Sequence, residues 1–475
     1  MNDTVLVINR NDAQTQSIIR KLRSEQIEAR LAPGNMSQEE IESYAPRGII
    51  ISGGVTGNLQ EPFDSRWLEG ERPLLAIGGA ALSLLRILGG EPSGDPLPTG
   101  FHPVAFSDAC PITQGYSGND MLHLHGVYPL DLTEDLQPAA LTDGHCIGYY
   151  HGSIPLYGLQ LHVETNDPDI SHVLARFALE VCGCSRRWNS DTVIDNALSL
   201  IRGKVDGGVA VCELTGGVDS GVCAILGQMA LQDKLRYYFV DTGLLRDGAR
   251  EETLRFFADE MGMNIEVIET QERFMQALKG LTDTQAKAKA IKALYQQIRT
   301  ELAERDCADV VILTTNADDL LDGRARFGEF GAAPIAQLFK DEVRRLGEML
   351  ALPETLREKQ SFPETGLALR IYGEVTPERL RILRAADAVW LAEIEKVGQQ
   401  SKLWQYFAML LPVDKTYFIC LRALNRIERA GALPARIPHE LPEIVSARIA
   451  GEIPEVTRIF YDFTAASDTS DIEWL

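Results

Sequence analysis

The residues with the clearest chemical meaning form a glycine turn between an apolar segment and a helix-like segment. The turn reads Thr215-Gly216-Gly217-Val218-Asp219-Ser220, follows the apolar residues 209–212 and precedes a helix-like segment from Cys223 to Leu231. Adjacent glycines let the backbone approach an anion, the helix that follows offers unpaired N–H groups, and the Thr215 and Ser220 hydroxyls add donors. Asp219 would repel phosphate directly and more plausibly reaches it through Mg²⁺, which prefers oxygen ligands. A turn that only connected a strand to a helix would need neither paired glycines nor flanking hydroxyls.

A doubly wound sheet must position this turn. Apolar segments near 209–212, 236–241, 264–268 and 309–314 alternate with helix-like segments, a pattern typical of a parallel sheet. Because ligands in such sheets bind beyond the carboxyl ends of the strands, residues 215–220, 241–246 and 315–322 should surround one pocket. Thr315 therefore joins the predicted site.

Two further regions show their own patterns. Residues 1–77 alternate between strands and helices, which predicts a second parallel sheet covered on both faces. After residue 363, apolar residues recur at helical spacing between 380 and 394, and short apolar strands follow near 417–422 and 458–461. The fold class is α/β, with two doubly wound parallel-sheet domains and a small α+β domain at the C-terminus.

Composition limits the function classes. The chain has 475 residues and a formal net charge of −22, so nucleic acid and anionic membranes are unlikely partners. No apolar run approaches the roughly 18 residues that span a bilayer, and the opening Met1-Asn2-Asp3 lacks a signal-like segment, which favours the cytoplasm. The eight scattered cysteines are interpreted as reduced, mostly buried thiols.

The glycine turn resembles the SGGxDS loop of the ATP pyrophosphatases, and the whole chain resembles the GMP synthetase family. Five further segments carry this resemblance in the family's order: 239–246 (FVDTGLLR), 272–274 (ERF), 338–344 (LFKDEVR), 370–376 (RIYGEVT) and 472–474 (IEW). The resemblance implies a class I glutamine amidotransferase-like domain over 1–186, an ATP pyrophosphatase domain over 187–360 and a C-terminal dimerisation and acceptor domain over 361–475.

The resemblance also implies roles for individual residues. Ser220, Asp219 and Lys340 would be catalytic, with the Lys340 cation directed toward the phosphates, and Asp219 and Asp319 would hold Mg²⁺. Ordinary surface charge remains the alternative for Lys340 and Asp319. ATP would be bound by Thr215, Gly216, Gly217, Val218, Asp219, Ser220, Asp241, Gly243 and Thr315, with Asp241 and Gly243 near the adenosine.

The amidotransferase-like domain departs from the family at its nucleophile. The family places a cysteine on a strand-to-helix elbow, whereas this chain has Gly78 there, although His162 and Glu164 match the base and its orienting carboxylate. Cys110 and Cys146 do not lie at such an elbow. A base without a nucleophile cannot form a glutamyl thioester, so this domain is expected to be a structural or regulatory remnant.

The acceptor side departs as well. The family's basic insert is reduced to a segment containing Arg324 and Arg326, and acidic residues surround Glu473 in the tail. Arg370 could still pair with an anionic acceptor, as could the two insert arginines. The family's acceptor is xanthosine monophosphate (XMP), whose phosphate is anionic. Carboxylates within a few ångströms of that phosphate would oppose its binding by roughly 1–4 kcal/mol, so XMP should bind poorly.

These observations predict an enzyme that uses ATP and Mg²⁺ to adenylate a carbonyl or carboxyl oxygen of a small, possibly nucleotide-like acceptor. Pyrophosphate leaves, and ammonia that does not come from glutamine then displaces AMP. Three alternatives stay open: a sulfur-inserting enzyme, an ammonia-dependent GMP synthase and a non-catalytic ATP-binding scaffold. A homodimer is expected, and a separate protein could donate ammonia or sulfur.

Overall fold

The computed structural model describes residues 3–10, 14–53, 68, 72–115, 119–163, 168–321, 331–360, 362, 365–399, 402–427 and 431–465. The chain divides into two compact units, Met1–Val193 and Ile194–Leu475. The predicted boundary between residues 360 and 361 falls inside the second unit. Over the described ranges, no helix has both the length and the apolar character needed to cross a membrane.

The first unit is built on a nine-stranded sheet with the order β2-β1-β3-β4-β11-β10-β9-β6-β7. Its strands, with the small pair β5 and β8, are β1 (Val5–Arg10), β2 (Ala29–Pro33), β3 (Gly48–Gly53), β4 (Leu74–Gly78), β5 (Glu91–Pro92), β6 (Gly100–Phe106), β7 (Asn119–Leu124), β8 (Leu130–Asp131), β9 (Leu136–Thr142), β10 (His145–His151) and β11 (Leu156–Leu159). The first five strands in this order, β2, β1, β3, β4 and β11, pair in parallel, as predicted for this region. Strands β10, β9, β6 and β7 add an antiparallel half that the sequence did not predict.

Helices cover the parallel half because their apolar faces match its buried strands. The helices up to the division between the units are α1 (Gln14–Ser24), α2 (Gln38–Tyr44), α3 (Gly79–Ile87), α4 (Pro168–Arg176) and α5 (Ser190–Val205), the last of which contains the division. Strand β3 is buried along its whole length, as expected for a central parallel strand. Ile18, Ile19 and Leu22 of α1 are fully buried at helical spacing.

The second unit contains the predicted four-stranded parallel sheet, with the order β14-β13-β12-β15. Its strands are β12 (Ala210–Glu213), β13 (Leu235–Asp241), β14 (Ile265–Glu269) and β15 (Val310–Ile312). The helices around it are α6 (Val218–Leu231), α7 (Ala249–Leu254), α8 (Gln271–Leu278), α9 (Thr284–Arg305), α10 (Ala317–Leu321), α11 (Lys340–Met349) and α12 (Glu354–Arg357). Helix α6 begins at Val218, five residues before the expected start at Cys223, so the glycine turn leads directly into it.

A second, mostly antiparallel sheet follows in the same unit. Its strands are β16 (Gln405–Val413), β17 (Thr416–Ile427), β18 (Gly431–Pro434) and β19 (Val456–Tyr461), covered by α13 (Pro377–Lys396) and α14 (Leu441–Glu452). One hydrophobic core runs from the parallel sheet into this part, and it includes Val240, Phe274, Trp390 and Leu410. The α+β character expected for the C-terminal part is confirmed.

Candidate functional site

The glycine turn has the backbone that phosphate binding requires. Gly216 adopts φ +75°, and a Cβ there would lie 2.4 Å from Thr253 Oγ1, so only glycine fits without rearrangement. Gly217 is the N-cap of α6 and has no side chain with which to cap it. The first N–H groups of this helix therefore have no side-chain cap from Gly217 and can face an anion.

Ser220 holds the turn closed. The Ser220 hydroxyl accepts hydrogen bonds from the Thr215 N–H and the Thr215 hydroxyl, both at 3.1 Å, and donates to the Gly217 carbonyl at 3.0 Å. The side chain is buried, with 1% exposure. In this structure Ser220 therefore organises the loop that would contact phosphate.

Asp219 and Lys340 come together beside the turn, although 121 residues separate them in sequence. The Lys340 ammonium forms an ion pair with Asp219 Oδ2, and Asn316 Nδ2 donates to the same oxygen at 3.4 Å. Lys340 is the first residue of α11, which packs against α6. The Asp219 side chain is 20% exposed and that of Lys340 27%, so both can reach a ligand at the surface of the site.

The second carboxylate oxygen of Asp219, Oδ1, differs from Oδ2 in its hydrogen bonding. Asp219 Oδ1 is buried and accepts no hydrogen bond within the part of the chain that the structure describes. An unsatisfied buried carboxylate oxygen costs about 1–3 kcal/mol or more, which a bound divalent cation would offset. The donor type fits Mg²⁺, although the described residues hold no cluster of three or more His, Cys, Asp or Glu side chains arranged for a metal.

The segment after β15 faces the same end of the sheet. Asp319 and Asn316 cap the short helix α10 reciprocally, because the Asn316 N–H donates to Asp319 Oδ2 at 3.2 Å and the Asp319 N–H donates to Asn316 Oδ1 at 3.1 Å. Asp318 accepts a hydrogen bond from the Lys340 N–H at 2.7 Å, which fixes the start of α11. Thr315 is half-buried just before this helix. Asn316, which bridges to Asp219, lies in the predicted segment 315–322 but was assigned no role of its own.

Asp241 orders the loop that follows β13. Its Oδ1 accepts the Gly243 N–H at 3.0 Å, and its Oδ2 accepts Arg250 Nη1 at 2.7 Å. Gly243 has φ +69°, and Arg250 also pairs with Glu269. The carboxylate is 8% exposed, so in this structure it shapes the predicted adenosine loop from within.

The predicted acceptor residues are distributed unevenly. Arg370 is 1% exposed, its Nη1 lies 3.8 Å from Asp387 Oδ1, and its guanidinium stacks on the Phe407 ring at 4.3 Å. The structure thus brings Arg370 into the core, and its acceptor role stays a prediction. Arg324, Arg326 and Glu473 lie outside the described residues.

Two polar groups near Arg246 were missed by the sequence reasoning. Gln360 Nε2 and Thr365 Oγ1 are buried and have no hydrogen-bond partner among the described residues. Gln360 Oε1 accepts Arg246 Nη2 at 3.5 Å, and the Arg246 guanidinium lies over the Phe362 ring at 4.8 Å. Only their position, on the loop before the 370–376 motif, could have drawn attention to them.

The first unit contains the predicted elbow at Gly78. Gly78 ends β4, precedes α3 and adopts φ +66° and ψ −130°. A Cβ at this position would lie 2.4 Å from the Gly53 carbonyl oxygen. The elbow backbone is therefore present, but the surrounding chain leaves no room for a side chain.

His162 lies beside this elbow, and Glu164 lies outside the described residues. His162 Nε2 is 2.9 Å from the His125 carbonyl oxygen, which fixes a proton on that nitrogen. Both histidines line a cavity of about 10 Å³ with Gly78, Gly79 and Gln160. A volume of this size corresponds to about one water.

The two cysteines nearest in sequence to this cavity are poor nucleophiles. Burial raises the pKa of the Cys110 thiol, and burial raises the pKa of Cys146 to about 11. Both are therefore thiols at neutral pH, whereas the thiolate is the nucleophile. All eight cysteines are free, and of these only Cys307 is classed as exposed.

Two family models match the second unit. Residues 197–370 match the model described as NAD synthase, and residues 392–474 match the model described as GMP synthase C terminal domain. The first match contains the glycine turn and the Asp219–Lys340 pair. The second covers the sheet that begins at β16.

Relatives cover the whole chain. A glutamine-hydrolyzing GMP synthase of Caldanaerobacter subterraneus subsp. tengcongensis is 31% identical over 99% of this chain and 99% of its own length. The enzyme of the same name from Clostridium botulinum is 32% identical over the same shares, and that of Lactobacillus delbrueckii subsp. bulgaricus is 31% identical over 98% and 96%.

Solved structures resemble single parts of the chain. An NH3-dependent NAD synthetase from Campylobacter jejuni has a TM-score of 0.32 and 21% identity, over 45% of this chain and 92% of its own. An NMN synthetase from Francisella tularensis has a TM-score of 0.33 and 17% identity, over 38% and 77%.

Proposed function

Because the chain belongs to the GMP synthase family of ATP-using ligases that form carbon–nitrogen bonds, we propose that it adenylates an oxygen of a small acceptor and then aminates it with ammonia. Pyrophosphate leaves in the first step, when the acceptor oxygen attacks the α-phosphorus of ATP. Ammonia then attacks the activated carbon and AMP leaves. The observation that carries this proposal is the Lys340–Asp219 pair at the N-terminus of α6.

The glycine turn supplies the electrostatics of the first step. We propose that the N–H groups of residues 217–220 bind the leaving pyrophosphate, because this helix start has no side-chain cap. The Lys340 ammonium would neutralise negative charge that develops on the same group. Support for this role comes from its position at the start of α11, where Asp318 fixes the backbone.

We propose Mg²⁺ as the cofactor at Asp219. Its unpartnered Oδ1 supports this assignment, and Asp319, on the neighbouring α10, is the second candidate ligand. When bound, the cation would screen the carboxylate from phosphate and polarise the phosphoryl oxygens. Asp219 and Lys340 would then act together, one through the metal and one directly.

The acceptor is proposed to bind beside the loop of residues 242–246. Gln360 Nε2 and Thr365 Oγ1 find no partner within the portion of the chain that the structure describes, which supports this location, because buried polar groups without partners are costly unless a ligand pairs with them. Gln360 touches Arg246, which belongs to that loop. A neutral amide and a hydroxyl favour a carbonyl-bearing acceptor over a phosphate dianion at this spot.

Glutamine is not proposed as the nitrogen donor, in contrast to what the names of the relatives state for them. Position 78 carries no thiol and its Cβ would lie 2.4 Å from the Gly53 carbonyl oxygen, and burial raises the pKa of the Cys110 and Cys146 thiols, so neither is a thiolate at neutral pH. We propose that free ammonia, or ammonia from a separate protein, serves the reaction. Release of glutamate from glutamine by the pure protein would contradict this.

A homodimer is part of the proposal, formed through the C-terminal sheet. Phe460 and Phe463, at the end of β19, are 49% and 76% exposed, which supports an interface there. Sedimentation equilibrium tests it. A monomer at micromolar concentration would contradict it.

The function is tested by measuring pyrophosphate and AMP formed from Mg·ATP and ammonium, with XMP or with fractions of a small-molecule extract. We expect release with at least one extract fraction and little with XMP. Release with XMP at an equal rate would make the protein an ammonia-dependent GMP synthase. Sulfur in the product would identify a sulfur-inserting enzyme, and ATP binding without release in any fraction would identify a scaffold.

A further inference from the structure

The second unit buries a lysine that the proposed reaction does not use. Lys287 lies in the first turns of α9, and its side chain has 0% exposure. Its ammonium donates to three backbone carbonyls, those of Ile371 at 2.7 Å, Gly373 at 3.0 Å and Ala368 at 3.3 Å. An ammonium has three donors and no acceptor, so this carbonyl cage satisfies it completely.

The buried amine keeps its charge at neutral pH. Burial lowers the pKa of Lys287 to about 8, with Asp283 opposing that shift and Arg379 adding to it. The amine is therefore still mostly protonated at pH 7. A buried charge persists only where oriented polar groups replace its lost hydration, and the three carbonyls do so here.

The cage carbonyls belong to a segment that contacts the proposed nucleotide site. Residues Gly366–Arg370 form a 3₁₀ turn, and the Leu367 N–H donates to the Leu244 carbonyl at 2.8 Å. Gly366 adopts φ +61°, and a Cβ there would lie 2.5 Å from the same carbonyl oxygen. Leu244 directly follows Gly243 and lies three residues after Asp241, so the turn packs against the predicted adenosine loop.

The same segment is attached to the C-terminal sheet on its other side. The Tyr372 N–H donates to the Leu410 carbonyl of β16 at 2.8 Å. Glu374 accepts the Gly280 N–H at 2.8 Å, which ties the segment to the chain just before α9. The cage is therefore the point where α9, the 3₁₀ turn and the second sheet meet.

We propose that the Lys287 ammonium is a tethered monovalent cation, which gathers the carbonyls of residues 368, 371 and 373 as a bound K⁺ would and thereby positions the 366–373 segment against residues 242–246. Carbonyl oxygens replace the hydration shell of K⁺ in the same manner. Lys287 touches no reacting atom in the proposed mechanism, so it is a positioning residue.

The cage can be emptied in two ways that differ in the space they leave. Lys287→Ala removes the charge and leaves a cavity that K⁺ or NH₄⁺ can enter. Lys287→Met removes the charge but fills the space with an apolar chain of similar length. Lys289→Ala, at an exposed site on the same helix, is the matched control.

The measurement is the unfolding temperature of each variant in KCl, NH₄Cl and tetramethylammonium chloride at equal ionic strength. In tetramethylammonium we expect both Lys287 variants to unfold roughly 5–10 °C below the wild type, because three buried carbonyls lose their donor. K⁺ and NH₄⁺ should restore most of this loss in Lys287→Ala and none in Lys287→Met. Lys289→Ala should follow the wild type in all three salts.

A calorimetric titration with Mg·ATP in the same salts tests the positioning role, well below the unfolding temperatures. We expect the Lys287→Ala affinity for ATP to fall at least 5-fold in tetramethylammonium and to recover in K⁺. Lys287→Ala that is as stable as the wild type, or equally unstable in all salts, would overturn the proposal. If Lys287→Ala does not fold, Lys287→Gln, which keeps an amide donor, is expected to fold and to lie between the wild type and Lys287→Met; a melting temperature equal to that of Lys287→Met would count against the cage.

Discussion

Two turns in this chain lead from a buried parallel strand into a helix, and they differ in their chemistry. At each, a buried parallel strand runs into a helix through a glycine of positive φ, which is Gly216 (+75°) after β12 and Gly78 (+66°) after β4. The first is surrounded by Thr215, Asp219 and Ser220, and a lysine from α11 reaches it. The second offers a cavity of about 10 Å³. Both turns use a glycine of positive φ, so the difference between them lies in the side chains and backbone atoms around that glycine.

The two glycines also differ in the atoms that a side chain at that position would meet. The space above Gly78 is taken by the Gly53 carbonyl oxygen, 2.4 Å from where a Cβ would lie. At Gly216 the corresponding neighbour is a side-chain hydroxyl, Thr253 Oγ1. A backbone atom cannot move aside as readily as a side chain can. The backbone around Gly78 therefore excludes the side chain of a nucleophile at this position.

The comparison depends most on Asp219. Asp219→Asn keeps the shape of the side chain but removes the charge that pairs with Lys340 and that would hold Mg²⁺. We expect pyrophosphate release to fall by about 100-fold or more, since a preorganised charged contact in an active site is worth that much. Asp233→Asn, an exposed carboxylate just beyond α6, is the control. Equal rates for the two variants would remove Asp219 from the site.

The same substitution at both glycines sharpens the contrast. Gly216→Ala forces a Cβ to within 2.4 Å of Thr253 Oγ1 at a positive φ, so the phosphate turn must shift. We expect its affinity for Mg·ATP, measured by calorimetry, to fall roughly 10-fold or more. Gly78→Ala should bind ATP as the wild type does. An ATP affinity that drops equally in both variants would mean that the two elbows are not separate in function.

Introducing a cysteine at Gly78 should not produce glutaminase activity. Gly78→Cys introduces a Cβ that overlaps the Gly53 carbonyl, so we expect a loss of about 1–3 kcal/mol in the free energy of unfolding and no glutamate release from glutamine. Gly94→Cys is the matched control, because Gly94 has φ +70° with open space around it. The difference between the two variants in urea isolates the clash. Glutamate release by Gly78→Cys would show that only the missing sulfur silences this elbow.

The smallest expected effect concerns the native thiols. Because burial raises the pKa of Cys146 to about 11, only about 0.1% is thiolate at pH 8, and its alkylation should accelerate about tenfold per pH unit between 7 and 10. Iodoacetamide labelling followed by peptide mass spectrometry measures this, with the exposed Cys307 as the internal reference. Labelling of Cys146 at pH 7 that is as fast as that of Cys307 would reveal an activated thiol.

Local patterns predicted much of the fold. The strand at 210–213 and the turn that follows it were readable because apolar runs and paired glycines act over a few residues. The antiparallel half of the first sheet was not, because β6 has one buried residue, Val104, and contains Pro103, which disfavours a strand prediction. Helix α6 began earlier than expected because the glycine turn forms its cap.

Long-range packing limited what could be said of the site. The resemblance assigned Asp219 and Lys340 separately to the phosphate site, but their ion pair was not predicted, since no local pattern joins residues that far apart. The sequence also suggested that Arg370 could reach an acceptor, yet its guanidinium is stacked on Phe407 in the core. Lys287 gave no signal at all, because a lysine in a helix is usually solvated and its cage is built from main-chain atoms.

The large hydrophobic cluster shared by the two parts of the second unit has an evolutionary consequence. Residues such as Phe274 from the ATP side and Trp390 from the acceptor side belong to one continuous cluster. Exchanging the C-terminal part alone would therefore remove side chains that pack in the interior of the parallel-sheet part. Substitutions in exposed loops leave this shared interior unchanged, so they are the less costly route to an altered binding surface.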